Sequence, residues 1–188
     1  MNLLRSLIAL LVFALSTASP AWSQISQFCF GDGSSGPCPC ANFSAPSTGG
    51  CLNSLGSPGV LTAFGMGALP SVSADISGNN RITLAGSGMP NAACVYFQGS
   101  PVIPSLFGDG IRCVNNPFQV QLGTRLNVAG ASFVGGTAGP AISLQGFWNT
   151  ALLAPVTRVY QCWYRNAAAF CTPAVFNMTN AVSITWAI

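Results

Sequence analysis

Hydrophobic and polar residues alternate along most of the chain after residue 58, which is the pattern of strands with one buried face. A stretch rich in aromatic and β-branched residues, Val156–Arg165, predicts one strand. Val182, Ile184 and Trp186 alternate with other residues and predict the last strand of the chain. After the N-terminal apolar segment no stretch has a helical period, although the alanines at 167–169 could form one short helical turn.

A β-hairpin is predicted between residues 72 and 84. Two alternating runs flank the turn Ser-Gly-Asn-Asn, and their apolar members are Val72, Ala74, Ile76, Ile82 and Leu84. This hairpin would point Asp75 outward. Ile142 and Leu144 alternate with Ser143 and Gln145, so another short strand is expected there.

A long strand with one buried face is predicted around residues 118–128. The apolar residues all fall on even positions: Phe118, Val120, Leu122, Leu126 and Val128. Polar residues lie between them, including Gln121 and Arg125, which this pattern places on the outer face. Gly123 interrupts the run and is the expected position of a bend.

These runs amount to eight or nine short strands separated by turns that contain Gly, Pro and Asn. The fold class that follows is all-β, an antiparallel β-sandwich of immunoglobulin-like or jelly-roll-like type. The chain has 188 residues, and about 165 of them remain after a leader, enough for one core. Residues 24–58, rich in Cys, Gly and Pro, are expected to form a disulfide-stapled segment of one domain with the sandwich at 59–188.

The first 23 residues have the pattern of a secretory signal peptide. Arg5 precedes an apolar run at residues 7–15, and small residues lead to an expected cleavage near Ser23. We therefore expect a secreted protein, extracellular or at the cell surface, without a transmembrane span after cleavage.

All eight cysteines follow this leader, and their even number predicts four disulfides. Cys94 and Cys162 fall on the apolar faces of two strands and would meet if those strands are neighbours. Cys113 and Cys171 are loop cysteines and form the second expected pair. A bridge between Cys38 and Cys40 would be strained, so each must reach Cys29 or Cys51; Cys29–Cys40 with Cys38–Cys51 is favoured. The spacing of these four does not match a zinc site.

The composition excludes much chemistry, because the chain has no His, Lys or Glu and only 5% charged residues. Six Arg and three Asp give a formal net charge of +3, too sparse for a nucleic-acid surface. Without the usual bases, neither an enzyme nor a bound cofactor or metal is expected. The tetrapeptide Phe-Gly-Asp-Gly occurs at residues 30–33 and 107–110, and is interpreted as a recurring turn rather than a calcium loop.

Several stretches together resemble an uncharacterised secreted domain that is abundant in planctomycete bacteria. They are the residues CFGDG at 29–33, CPC at 38–40, ITLAGSGMP at 82–90, YFQG at 96–99, FGDGIRC at 107–113 and WYRNAAAFCTP at 163–173. The resemblance spans nearly the whole mature chain and implies no established activity. It implies that Cys94 and Cys162 are departures from the family pattern, which suggests an extra bridge between them.

Two functions are consistent with these features. The first is a non-catalytic structural or surface-interaction module of a bacterial cell envelope or extracellular matrix, whose low charge favours self-association or contact with surface components. The second is a module that binds carbohydrate or another extracellular ligand. The candidate stacking residues are Trp148, Tyr160, Trp163 and Tyr164, although the sandwich core is the favoured place for each and Trp148 is the best candidate for exposure. Trp163 and Trp186 are expected to be the most buried.

Overall fold

The computed structural model describes residues 25–65, 70–79, 81–115, 120–137, 139–146, 156–166 and 170–187. The elements in this part of the chain are β1 (Ile25–Phe28), β2 (Val60–Phe64), α1 (Val72–Ser77), β3 (Thr83–Ser87), β4 (Ala93–Gly99), β5 (Pro101–Phe107), β6 (Gly110–Val114), β7 (Val120–Leu126), β8 (Ser132–Gly135), α2 (Ile142–Gln145), β9 (Val156–Arg165), β10 (Phe176–Met178) and β11 (Ala181–Trp186). Among these residues no helix has the length and apolar character needed to cross a membrane.

The central layer is an antiparallel sheet in the order β1-β11-β9-β4-β7, with β10 pairing with the far end of β9. Strand β9 is the longest of these. Its first half pairs with β11, its last three residues pair with β10, and its other edge pairs with β4. The predicted strands at Val156–Arg165 and at the C-terminus are both confirmed.

A second sheet, in the order β2-β3-β8, packs on one face of the central sheet. The core between them includes Leu61, Leu84 and Val134 from the smaller sheet. The central sheet contributes Tyr96, Tyr160, Tyr164, Val182, Ile184 and Trp186. Two antiparallel sheets with a shared core confirm the predicted all-β fold class.

The other face of the central sheet is covered by the β5–β6 hairpin and the cysteine-rich loops that follow β1. A second core forms there from Phe97, Val159 and Met178 together with Ile111, Val114 and four of the disulfide cysteines. Both faces of β9 are therefore buried over much of its length, which explains its nearly continuous run of apolar and aromatic residues.

The predicted hairpin at residues 72–84 is wrong in its first half, because Val72–Ser77 forms the helix α1. The Ser71 side chain caps its N-terminus by accepting from the Ala74 N–H, and Gly78 ends it with a left-handed φ of 86°. Val72 and Asp75, three residues apart, share the buried face of the helix. Asp75 therefore points inward rather than outward. The segment Ile142–Gln145 is likewise a short helix, α2, and not a strand.

The strand β7 bends at Gly123 as predicted, but a bulge also reverses its faces. Tyr96 of β4 lies opposite Gly123 and Phe97 lies opposite Gln121, so Leu122 is the extra residue. Beyond the bulge the even positions point outward: the exposed fractions of Leu126 and Val128 are 73% and 75%, respectively. Their predicted burial is wrong because one inserted residue shifts a period of two by one position.

Some expectations fall on residues outside the described ranges. These are the signal peptide at residues 1–23, Phe118, Trp148 and the possible helical turn at 167–169. They remain predictions.

Candidate functional site

Asp75, one of the three carboxylates of the chain, is buried and fully occupied by structural hydrogen bonds. One carboxylate oxygen accepts from the Ile82 N–H at 2.9 Å. The other accepts from the N–H and the hydroxyl of Ser143, at 2.9 and 2.6 Å. Asp75 thus ties α1 to β3 and α2 and offers no free oxygen for acid-base chemistry.

Asp109 and Asp32 belong to the two Phe-Gly-Asp-Gly copies and also hold turns. Asp109 is buried, accepts from the Asn166 amide at 2.8 Å, and accepts from both the N–H and the hydroxyl of Thr172. Asp32 is exposed and accepts from Ser34 and from the Ser47 N–H. The Ser34 hydroxyl is the main reason that the pKa of Asp32 falls to about 2. The described residues contain no cluster of three or more His, Cys, Asp or Glu that could hold a metal ion.

Three disulfides form, and only one of the favoured pairs is among them. Cys38–Cys51 is confirmed, whereas Cys29 bonds to Cys113 and Cys40 bonds to Cys171. The predicted pairs Cys29–Cys40 and Cys113–Cys171 are therefore wrong.

The position of Asp109 in the β5–β6 turn explains why Cys40 pairs with Cys171 rather than with Cys29. Its backbone carbonyl accepts from the Asn42 amide at 3.0 Å, and its carboxylate holds Thr172. These contacts bring the loop at residues 40–42 to the loop at 171–172, so Cys40 meets Cys171. Cys29, at the end of β1, lies beside β6 instead.

Cys94 and Cys162 lie on neighbouring strands and in the same core, as expected, but both are free thiols. Cys94 is opposite Tyr164 and Cys162 is opposite Tyr96, so the cysteines are diagonal neighbours. Diagonal neighbours lie farther apart than residues directly opposite each other, and the predicted bridge is absent although the two thiols are within hydrogen-bonding reach. A hydrogen bond from the Cys162 thiol, more than any other contact, lowers the pKa of Cys94 to about 7.

Two of the candidate stacking residues cannot meet a ligand. Tyr160 and Tyr164 are fully buried, and burial raises the pKa of each well above its usual range. The Tyr160 hydroxyl donates to the Gln98 side chain and accepts from the indole of Trp186, both at 2.9 Å. The favoured placement of both tyrosines in the core is thus confirmed, as is the burial of Trp186.

Trp163 differs from its expected burial, because it is only half-buried and lines a surface cleft. The cleft, here called the aromatic cleft, has a volume of about 280 Å³ and lies between the central sheet and the β5–β6 hairpin. Its lining residues are Val95, Phe97, Phe107, Arg112, Gln121 and Trp163. Strand register explains the grouping, since Val95 is opposite Trp163 and Phe97 is opposite Gln121.

The polar groups of the aromatic cleft are the guanidinium of Arg112 and the amide of Gln121. The Arg112 guanidinium carbon lies 5.0 Å from the centre of the Phe107 ring, within the range of a cation–π contact. Behind them Phe176 packs against both Phe107 and Trp163, with ring centres 5.0 and 5.6 Å away, respectively. The aromatic wall is therefore supported by the half-buried ring of Phe176 and by the hairpin that Cys29–Cys113 holds in place.

A second depression, of about 700 Å³, lies between the edges of β7 and β8. Leu126, Val128 and Phe133 line it and are largely exposed. Arg125 crosses it and donates from Nε to the Phe133 carbonyl at 3.1 Å. This contact links the edge strands of the two sheets.

Sequence reasoning missed Phe107, Arg112 and Gln121 as cleft residues. Phe107 and Arg112 belong to the motif FGDGIRC, whose only interpreted feature was its turn. Gln121 was correctly placed on the outer face, but its neighbours there depend on strand order, which alternation does not specify.

No protein-family description, curated protein or solved structure matches this chain.

Proposed function

We propose that this chain is a secreted, non-catalytic surface-interaction module of a bacterial cell envelope or extracellular matrix. The proposal rests on one observation: all three side-chain carboxylates already accept hydrogen bonds within the fold. Asp32, Asp75 and Asp109 each accept hydrogen bonds from backbone or side-chain donors of their own chain. With no His, Lys or Glu in the sequence, no residue remains in the position of a general base.

Exposed apolar side chains support a contact function. The exposed fractions of Ile103 and Leu106 on β5 are 88% and 60%, respectively. Pro101 and Pro104 lie in the same strand and limit its pairing with another strand, so these exposed apolar side chains can contact a partner without extending a sheet. The disulfides fit an oxidising compartment, which agrees with the predicted signal peptide and with the proposed family resemblance.

Co-sedimentation with washed bacterial envelopes tests this function. The mature protein should pellet with the envelopes, and no soluble sugar or peptide should be released over time. The variant I103S/L106S should pellet less, whereas T157S, in the exposed part of β9, serves as a surface control. A protein that stays in the supernatant, or one that releases product from the envelopes, would contradict the proposal.

A second candidate function is carbohydrate binding, and the aromatic cleft favours it. A cleft that combines aromatic rings with an amide and a guanidinium can cover the apolar face of a sugar and bond its hydroxyls. The candidate residues for stacking are then Trp163 and Phe107, rather than Tyr160 and Tyr164. An affinity gel containing envelope polysaccharide should retard the wild-type protein more than W163A; equal mobilities would contradict carbohydrate binding in this cleft.

A further inference from the structure

Arg112 is the charged residue of the aromatic cleft, and part of its hydrogen-bonding capacity is unused. Its Nε is buried, and no acceptor within the described residues bonds to it. An unpaired buried donor lowers the stability of the folded protein. Such a cost in a surface cleft calls for an acceptor that comes from outside the chain.

The charge of the cleft identifies that acceptor as anionic. No carboxylate lines the cleft, because Asp32, Asp75 and Asp109 are all bound elsewhere in the fold. A guanidinium with a free edge is matched to a carboxylate, which it can bind through two parallel hydrogen bonds. A cationic or strictly neutral ligand would leave this edge without its best partner.

The residues that line the cleft indicate which kind of molecule carries the carboxylate. Trp163 and Phe107 are partly exposed rings, and the Gln121 side chain is exposed, with no hydrogen-bond partner among the described residues. A volume of about 280 Å³ is at the lower limit for small-molecule sites and suits one ring rather than several. A sugar ring offers an apolar face to the aromatic rings and hydroxyls to the amide.

From these features we infer that the aromatic cleft binds a uronic acid unit of an acidic polysaccharide. The sugar ring lies against Trp163 and Phe107, its carboxylate pairs with Arg112, and Gln121 bonds a ring hydroxyl. Arg112 shifts toward the carboxylate so that its Nε gains a partner. The inference rests on the second proposed function, carbohydrate binding, and adds the class of sugar.

Titration with two matched oligosaccharides tests the inference. The probes are a trigalacturonate and its methyl ester, which share the same sugar rings; the ester lacks the carboxylate charges and carries a methyl group in their place. Tryptophan fluorescence in a chelating buffer, which prevents bridging by divalent cations, reports binding, and W163F identifies the signal of Trp163. The trigalacturonate should bind at least tenfold more tightly than the ester, and rising salt should weaken it.

Variants distinguish the charge from the fold. R112Q should lose at least tenfold in affinity for the trigalacturonate and little for the ester, while R112K should fall between R112Q and the wild type. R81Q is the control, because Arg81 lies near α1, donates to the Gly139 carbonyl and does not line the cleft. Thermal melting confirms that each variant is folded.

Each other outcome overturns the inference in a distinct way. Equal binding of the two probes leaves carbohydrate binding standing and removes the preference for an acid. Binding of neither probe removes both. Competition by acetate at the same concentration as the trigalacturonate indicates a simple anion site and contradicts the role of the sugar ring.

Discussion

The packing of both short helices depends on the carboxylate of Asp75. Its two oxygens accept from Ile82 and, twice, from Ser143 in a buried place. An amide at this position keeps one acceptor and sets an NH₂ group against an N–H donor. In a buried site without water, two donors that face each other raise the free energy of the folded state.

We therefore expect Asp75→Asn to lower the free energy of unfolding by about 3 kcal/mol, since bonds to a charged acceptor are each worth roughly 1.5–3 kcal/mol. Urea denaturation measures the loss. Asp32→Asn, at an exposed position, is the matched control and should change stability far less. Equal effects of the two substitutions would show that Asp75 does not hold the helices.

Asp32 provides a pH-dependent contact within the first Phe-Gly-Asp-Gly copy. Its pKa is lowered from 3.8 to about 2, first by the Ser34 hydroxyl and then by the Ser47 and Ser34 N–H groups. Because the folded pKa lies below the unfolded one, this contribution is complete above pH 4. It is lost as the pH falls toward 2.

The carboxyl carbon signal of Asp32 should accordingly titrate with a midpoint near 2 in an NMR experiment, as the lowered pKa of about 2 requires. Ser34→Ala should move the midpoint upward toward 3.8, because it removes the largest stabilising contact of the carboxylate. A midpoint near 3.8 in the unsubstituted protein would contradict the hydrogen bonds of this turn.

The thiols of Cys94 and Cys162 are a residue-scale feature with a direct chemical test. Unfolding without a reductant should expose two reactive thiols per chain, whereas the folded protein should react slowly because both are buried. Full reduction should yield all eight and serves as the control. A count of zero after unfolding would mean that the pair is bridged.

At the scale of single elements, the bulge in β7 determines what faces the two sides of the central sheet. Gly123 has a φ of 151°, a conformation that side chains rarely adopt, and an added Cβ would lie 2.9 Å from Nη1 of Arg125. The bulge directs Leu126 outward and lets Arg125 reach the Phe133 carbonyl on β8. A single glycine thus supports the link between the edges of the two sheets.

Gly123→Ala should lower the free energy of unfolding by about 1–2 kcal/mol, the usual cost of holding an ordinary residue in a strained conformation. Gly56→Ala is the control, because Gly56 has a φ of 72°, in the left-handed region that ordinary residues tolerate better than 151°, and nothing lies near its added Cβ. Thermal unfolding should show a larger loss for Gly123 than for Gly56. The opposite order would contradict the strain assigned to Gly123.

The elements that sequence patterns predicted well are those whose environment is uniform along their length. Val156–Arg165 is buried on both faces over much of its length and was predicted from its aromatic and β-branched content, and the C-terminal strand was predicted from its alternation. The segment at 72–77 alternates equally well, yet it is helical because Ser71 and Gly78 cap it and Asp75 is drawn inward. Those two caps were visible in the sequence and outweigh a three-residue alternation.

The cleft residues show the limit of this reasoning. Gln121, Phe107 and Trp163 are far apart in the sequence and meet through strand order and a hairpin that lies over the sheet. Periodicity states which face a residue occupies and not which strands are neighbours. The predicted pairs Cys29–Cys40 and Cys113–Cys171 are wrong for the same reason, since Asp109 joins loops that no spacing rule relates.

At the scale of the whole molecule, two long-range disulfides connect the N-terminal loops to distant parts of the fold. Cys29–Cys113 and Cys40–Cys171 have sequence separations of 84 and 131, whereas Cys38–Cys51 has one of 13. A cross-link that closes a longer loop removes more entropy from the unfolded chain. The bridges therefore differ in what they contribute to stability.

Replacing Cys40 and Cys171 by Ser should cost about 5 kcal/mol, and replacing Cys38 and Cys51 should cost about 3 kcal/mol, by the dependence on loop length. Chemical denaturation of the two double variants measures the difference, and peptide mapping of the unreduced parent confirms the pairs. A greater loss for the short bridge, or a map that links Cys113 to Cys171, would contradict this arrangement.

The same pairing has a consequence for how the chain responds to proteolytic cleavage. A single cut at any peptide bond between Cys29 and Cys171 leaves at least one bridge joining the two pieces, because the bridges together span that whole interval. The residues before Cys29, including β1, and the 17 residues after Cys171 (188 − 171) lie beyond this protection. A molecule cut once in this interval would keep its mass and its sheets until a reductant is present, so cleavage alone would release no fragment.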